Sequence, residues 1–263
     1  MPVTGVSVLR RTVQLTVQIL GELLITAGIV LLLFVAWELW WTNVESDAKQ
    51  SEVIKEFALD FDGPLKPPEP SPPANPKDPT APPPPPVDYG PAVVSAAPGH
   101  GGTIGIMYIP RFGASYTRPI VQGTTTDMLD TLGLGHYDST SMPGAVGNFA
   151  VAGHRQTHGA VLDNIHTLVP GDRIYVQTRD GYYVYAFRNN QIVLPSRIDV
   201  LLPVPAQPGA TPTESFLTMT SCNPRFGSQE RIIAYSTLDH WRPASAGPPA
   251  EIAAQVAAAH GGG

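Results

Sequence analysis

Residues 19–41 read ILGELLITAGIVLLLFVAWELWW, an unbroken apolar stretch that narrows the folding options of the whole chain. A helix apolar on every side has no surface to present to water, so it is buried in a large core or spans a bilayer. Its 23 residues suffice to cross as a helix, since about 20 residues span about 30 Å of hydrocarbon. Glu22 and Glu38 fall near its two ends, where a charge costs least. Trp37, Trp40 and Trp41 suit the outer interface as an aromatic belt. Arg10 and Arg11 precede the span, while Glu45 and Asp47 follow it. The excess of positive charge on the N-terminal side places residues 1–18 in the cytoplasm and everything after residue 41 outside. A cleaved signal peptide has an apolar region of about 7–15 residues followed by small residues. Here the run is longer and ends in bulky Trp-Glu-Leu-Trp-Trp, so the expectation is a retained single-pass anchor in contact with membrane lipid.

The next constraint is proline. Of the 23 residues from 64 to 86, 13 are proline. Proline fixes φ and supplies no backbone donor, so this stretch forms neither helix nor sheet. Extended polyproline II is expected, making residues 42–101 a juxtamembrane segment and Pro-rich extracellular stalk. A ligand for a proline-binding module is the other use of such a segment, but those modules mostly read it inside cells. The net charge of −6, with no long basic run, gives no reason to expect a nucleic-acid partner.

From residue 102 the chain turns to short strand-like runs broken by Gly, Pro, Asn and Asp. Strands are expected at residues 103–109, 119–121, 148–152, 173–178, 182–188, 191–194, 216–221 and 231–237. Arg179-Asp180-Gly181 reads as a hairpin turn between two of them. Short helices are expected at residues 127–132 and 161–168. Many short strands with few helices give a mainly β barrel or sandwich over residues 102–241. Residues 242–263 carry no strand pattern and end in three glycines, so a disordered C-terminal tail is expected, with an Ala-rich turn or two of helix at residues 251–259.

Cys222 is the chain's one cysteine. An intramolecular disulfide and a multi-cysteine zinc site are thereby excluded. The bland fate of a free cysteine is a small buried hydrophobe. Its surroundings argue otherwise. Pairing of 216–221 with 231–237 as a hairpin sets Cys222 beside Arg231, about 5 Å away on the neighbouring strand. A cation there favours thiolate, the nucleophilic form. Strand alternation puts Phe216, Thr218 and Thr220 on the cysteine's face, and Leu217, Met219 and Ser221 on the other. Among seven histidines, His154 follows an apolar strand directly, in Ala152-Gly153-His154-Arg155. His154 and His158 have the i, i+4 spacing of a helical zinc pair, yet Gly153, Thr157 and Gly159 disfavour a helix and no acidic third ligand is near in sequence. No metal is expected.

These residues resemble the signatures of the sortases, membrane-anchored cysteine transpeptidases. Thr218-Met219-Thr220-Ser221-Cys222 is similar to their T-L-x-T-C motif, with Arg231 on the next strand. Gly147-Asn148-Phe149-Ala150-Val151-Ala152-Gly153-His154-Arg155 is similar to their histidine motif. Ile109-Pro110-Arg111, Gly135-His136-Tyr137 and Pro170-Gly171-Asp172 are similar to the class E branch. The resemblance implies an eight-stranded sortase β-barrel without a cofactor, in which Cys222 is the nucleophile, His154 the general acid/base and Arg231 the stabiliser of oxyanion and substrate. It implies substrate contacts from Tyr137, Thr220 and Ser221. It implies cleavage of a C-terminal sorting motif of secreted surface proteins, Leu-Ala-x-Thr-Gly or Leu-Pro-x-Thr-Gly, between Thr and Gly. The thioester then passes to an amine of a peptidoglycan precursor or a pilin. The chain departs from the family pattern at Met219, at Ser221 and at His158, where relatives often carry leucine, threonine and an aromatic residue. Two other readings stand beside this one: a cysteine peptidase hydrolysing the same intermediate, and a non-catalytic stalked surface module.

Overall fold

The computed structural model describes residues 4–67 and 87–261, so most of the Pro-rich stretch expected as a stalk lies outside the described residues. The chain divides into two units, Met1–Asn43 and Val44–Gly263. The first holds the greater part of helix α1 (Thr4–Leu59). Its apolar side chains, among them Leu24, Ile25 and Leu32, are exposed, and over Arg10–Leu59 the helix is long and apolar enough to cross a membrane.

The second unit is a closed barrel of eight strands among the described residues, in the order β1-β2-β3-β4-β7-β8-β6-β5. The strands are β1 (Thr103–Tyr108), β2 (Thr117–Gln122), β3 (Leu134–His136), β4 (Gly147–Ala152), β5 (Arg173–Gln177), β6 (Gly181–Val193), β7 (Ser215–Asn223) and β8 (Glu230–Pro243). The six-residue helix α2 (Thr126–Thr131) precedes β3, and α3 (Ala253–Gly261) ends the described chain. The expected strands 182–188 and 191–194 are one strand, β6. It stays paired with β8 across its polar middle through register shifts at Val184/Tyr185 and Phe187/Asn189. β3 was not expected: three residues are too few to show an alternation. It pairs parallel with β2 and antiparallel with β4. Residues 161–168 form a 3-10 turn, Asp163–Thr167, instead of a helix.

The interior is filled by alternate side chains. Met107, Ile174, Val176, Tyr183, Tyr185, Leu217 and Met219 belong to one apolar cluster inside the barrel. Their sequence neighbours Ile106, Tyr108, Tyr175, Tyr182 and Val184 point outward, yet they are buried too. Phe57 and Phe61, at and just past the end of α1, cover them together with Ile252 and Val256. That second core corrects the expectation of a disordered tail at 242–263. β8 runs on to Pro243, and α3 packs behind it. It also takes in parts of the segment expected as juxtamembrane segment and stalk. Residues 44–59 are helical and belong to the barrel unit, and residues 87–101 lie along it. Tyr183 donates its hydroxyl to the Val93 carbonyl at 2.6 Å, and the Trp241 indole donates to the Gly90 carbonyl at 2.7 Å. Tyr183 and Trp241 face each other near one end of the β6–β8 ladder, whereas Val193 and Arg231 close its other end. The strap 87–101 therefore leaves the Arg231 end uncovered at this ladder.

Two of the separated motifs prove to be one interaction. Arg111 donates from Nε and Nη2 to both carboxylate oxygens of Asp172, each at 2.7 Å. Asp172 also accepts the Val169 amide. The guanidinium holds the Asp172 carboxyl below the usual carboxylate range. A carboxylate depressed in the folded state contributes stability above its unfolded value and loses that contribution as pH falls through its folded value.

Two outcomes follow from this packing. Ile252→Ala, at a fully buried position of the second core, should lower the unfolding free energy by about 2–4 kcal/mol in chemical denaturation; a change within error would leave the C-terminal segment undocked. Arg111→Met should melt below the parent at neutral pH, and the gap should close below about pH 4 as Asp172 protonates in the parent.

Candidate active site

Cys222 and Arg231 are directly opposed partners across β7 and β8. The connector between them is fixed from both sides. Asn223 donates its amide to Glu230 Oε2 at 2.7 Å across the hairpin. Arg225 holds both carboxylate oxygens of Asp163, at 2.7 and 2.5 Å. These bonds hold the Cys222–Arg231 end of the ladder against fraying.

The histidine arrives on a different strand. β4 runs parallel to β7, with Ala152 opposite Thr220. The ladder continues one step further, because the Gly153 amide donates to the Thr220 carbonyl at 3.1 Å. His154 and Cys222 each lie two residues past that last pair, so both leave the same edge of the sheet on neighbouring strands. Glycine is required at 153: a Cβ there would come within 2.6 Å of Val161 and 2.8 Å of Leu134. Ser221 donates its hydroxyl to the Gly153 carbonyl at 2.8 Å. It is buried there, which corrects its expected place in substrate contact: its bond ties the two strand ends together.

His154 has a partner that sequence reading missed. Its Nε2 lies 2.6 Å from Oδ1 of Asp130, in α2. The carboxylate holds one ring nitrogen and leaves Nδ1 free of that contact. Asp130 lies 24 residues before His154, and α2 with β3 bring it back to the site. No local pattern marks it. His158 is brought to the same carboxylate, its Nδ1 3.8 Å from Asp130 Oδ1, with the two imidazole centroids 5.1 Å apart. The acidic residue that sequence reading found lacking near the two histidines is thus present in space.

Two arginines are tied to the Cys222 hairpin. Arg231 donates from Nη1 to the carbonyls of Ser228 and Glu230, at 3.0 and 2.8 Å, which anchors its head at the mouth of the hairpin. Arg155, also missed, donates from Nη1 to the Cys222 carbonyl at 3.2 Å and to Asn223 Oδ1 at 2.5 Å. Burial pushes the Arg155 guanidinium down from its ordinary value, while the charges of Asp163 and Cys222 oppose that shift. The available signal was its place directly after His154, where the register carries it to the cysteine's strand.

Tyr137 and Thr220 meet through their hydroxyls at 2.9 Å. Thr220, itself buried, is on the Cys222 face of β7, so the pair lies along that face. Beneath Tyr137, His136 is buried between Gln122, Thr140 and the Ser141 carbonyl. Burial pushes its pKa down.

A family model described as the sortase domain matches residues 107–239. Sortase SrtE1 of Streptomyces coelicolor is 34% identical over 237 residues, 88% of this chain and 59% of that protein. The chain thus spans less than two thirds of that relative's length. Sortase SrtE2 of the same organism is 31% identical over 84% of this chain and 81% of its own length. Among solved structures, the SrtA sortase from Actinomyces oris is 36% identical and superposes with a TM-score of 0.60 over 62% of this chain and 94% of its own. Sortase E1 from S. coelicolor, solved with a tripeptide in its active site, is 37% identical, with a TM-score of 0.53 over 60% of this chain and 99% of that one.

Asp130→Asn should remove the hydrogen-bonded imidazole proton resonance of His154, which a bond of 2.6 Å places far downfield in the parent. It should lower kcat by about 10-fold or more with a smaller change in KM, because the base loses its orienting partner. An unchanged resonance and rate would show that the carboxylate does not orient the ring.

Proposed function

The chain belongs to the sortase family, and from that premise we propose that it is a membrane-anchored cysteine transpeptidase acting on a C-terminal sorting motif of secreted surface proteins. The observation that carries this reading is the shared sheet edge: His154 and Cys222 end parallel paired strands, and Arg231 faces Cys222 across the hairpin. In the first half-reaction His154 Nδ1 takes the thiol proton. The thiolate attacks the Thr carbonyl carbon of the motif, and the developing oxyanion meets the Arg231 guanidinium. Collapse breaks the Thr–Gly bond, with the proton passing from His154 to the leaving amine. In the second half-reaction an acceptor amine gives its proton to His154, attacks the Cys222 thioester and releases the thiol. Splitting amide exchange into two acyl transfers through sulfur is covalent catalysis. A fixed donor at the oxyanion contributes about 3–4 kcal/mol when well placed.

A peptide substrate is supported by the tripeptide in the active site of the S. coelicolor sortase E1 structure. The Leu-Ala-x-Thr-Gly form is preferred to Leu-Pro-x-Thr-Gly on the resemblance to class E, where Tyr137 matches the tyrosine implicated in that preference. The acceptor is an amine of the peptidoglycan precursor or of a pilin. The topology fits such clients: the cytoplasmic N-terminus and the anchor of residues 19–41 hold the barrel outside, where exported chains and wall precursors meet. No cofactor enters the scheme.

The test uses the full chain in detergent micelles, because residues 44–59 and 252–256 form part of the folded unit. The protein is mixed with each motif peptide, with and without a glycine or diaminopimelate amine, and analysed by mass spectrometry. An acyl adduct on Cys222 that the amine converts to ligated peptide is expected, with none in Cys222→Ala. Arg231→Lys should be slowed about 100-fold or more, since a point charge does not reproduce a planar fork at the oxyanion. Cleavage into which the amine never enters would make the protein a peptidase instead.

A further inference from the structure

We propose that Asp130, His154 and His158 form a reversible binding site for a divalent transition-metal ion, zinc above all, and that its occupation switches off acyl transfer. The first ground is geometry. One ligand atom from each residue lies within 4.8 Å of the other two. His154 Nε2 and His158 Nδ1 are 2.6 and 3.8 Å from the same oxygen, Asp130 Oδ1. Zinc bound at about 2.0–2.1 Å to nitrogen and oxygen in a tetrahedron spaces its ligands about 3.3–3.5 Å apart, between those two separations. Side-chain movements of about 1 Å therefore close the site around an ion. Two imidazoles and one carboxylate are a donor set that suits zinc and its neighbours over calcium or magnesium.

The second ground is His158 itself. Its φ is +54°, in the left-handed region that a non-glycine residue seldom occupies. Gln50 of α1 donates to its carbonyl at 3.4 Å. The loop thus holds the imidazole against Asp130, yet Nδ1 is buried and has no hydrogen-bond partner among the described residues. A nitrogen lone pair directed at a carboxylate is mismatched unless a proton or a metal ion lies between them. The ring takes no part in the acyl transfer derived above. The side chains of all three residues are more than a quarter exposed, so an ion has a way in.

Binding also has a chemical consequence at His154. With Nε2 on the metal, a proton shared with Asp130 in the metal-free site moves to Nδ1. With the ion on Nε2 and a proton on Nδ1, the ring has no free lone pair with which to accept the thiol proton. Inhibition therefore rests on the catalytic role proposed for His154, whereas binding of the ion does not.

The experiment separates the two. Cobalt(II) serves as the visible probe and zinc as its competitor, added to the full chain in detergent with Cys222→Ala as the background. That variant is expected to bind one cobalt ion with a d–d absorption band and no thiolate charge-transfer band, and zinc should displace it. Adding His158→Phe should weaken binding by at least about 10-fold, since loss of even an outer-shell partner reaches that. His158→Asn, which tolerates the left-handed backbone, is the second variant and should weaken it likewise. In chains with Cys222 intact, zinc should inhibit amine-dependent exchange, and both His158 variants should keep metal-free activity while losing zinc sensitivity by the same factor. Cobalt binding that requires Cys222 would place the ion on the nucleophile and overturn the site. So would unchanged affinity in folded His158→Phe and His158→Asn. If cobalt binds as expected but no chain catalyses exchange, the metal site stands and the transpeptidase reading fails.

Discussion

The arrangement of the site depends on the parallel ladder between β4 and β7. These strands are far apart in sequence, and nothing local tells either where it will end. Six residue pairs, from Gly147↔Ser215 to Ala152↔Thr220, hold them in register. One further main-chain bond and the Ser221 hydroxyl tie Gly153 to the cysteine's strand. A slip of one residue would turn Cys222 to the other face of β7, because side chains alternate. Leu217 and Met219 prevent that slip, since it would take both out of the barrel interior. The apolar core is therefore what sets the register of Cys222 against His154.

Around that ladder, polar groups do the positioning. Asp130 fixes the His154 ring, Arg155 holds the Cys222 carbonyl, and Arg231 is tethered at the hairpin mouth. Each contact is modest alone, as net contributions of hydrogen bonds are. Their value is geometric: His154, the Cys222 carbonyl and the Arg231 head are each held by a second group. Arg155 also shows how charge is distributed there. Burial weakens its hold on a proton, the Arg225 charge adds to that, and Asp163 and Cys222 oppose it only in part.

The sequence was legible wherever a signal was local. The Cys222–Arg231 hairpin needed only two β-rich runs and a breaker between them, and the observed register pairs those two residues. His154 was legible because glycine and histidine end an apolar strand. Asp130 was not, because an aspartate in a six-residue helix carries no pattern that distinguishes it from a solvated one. The docked C-terminus was not either. Residues 253–261 are rich in alanine and short, and their helix is held by Ile252 and Val256 against aromatic residues almost 200 positions earlier. β1 offered a clue in retrospect. TIGIMY is apolar without alternation, the mark of a strand covered on both faces. That pattern required an outer cover, for which the chain outside 102–241 was the available source.

That cover bears on the site as well as on the core. The residues matched by the family model run from 107 to 239, whereas the groups that brace the histidine loop come from before them. Ser46 donates its hydroxyl to the Asp130 carbonyl at 2.6 Å, Asp47 pairs with Arg118 at 2.8 Å, and Gln50 reaches the His158 carbonyl. Arg118 in turn donates to the Gly159 carbonyl at 3.0 Å. One face of residues 44–59 thus touches the main chain of Asp130 and of the loop that follows His154. The barrel carries Cys222, His154 and Arg231, and the end of α1 holds the main chain at Asp130 and His158. A barrel stripped of residues 44–59 keeps Cys222, His154 and Arg231 but loses the support of Asp130 and His158 together. The catalytic unit is accordingly longer than the family's matched range, and its N-terminal limit lies at the point where the helix first meets α2.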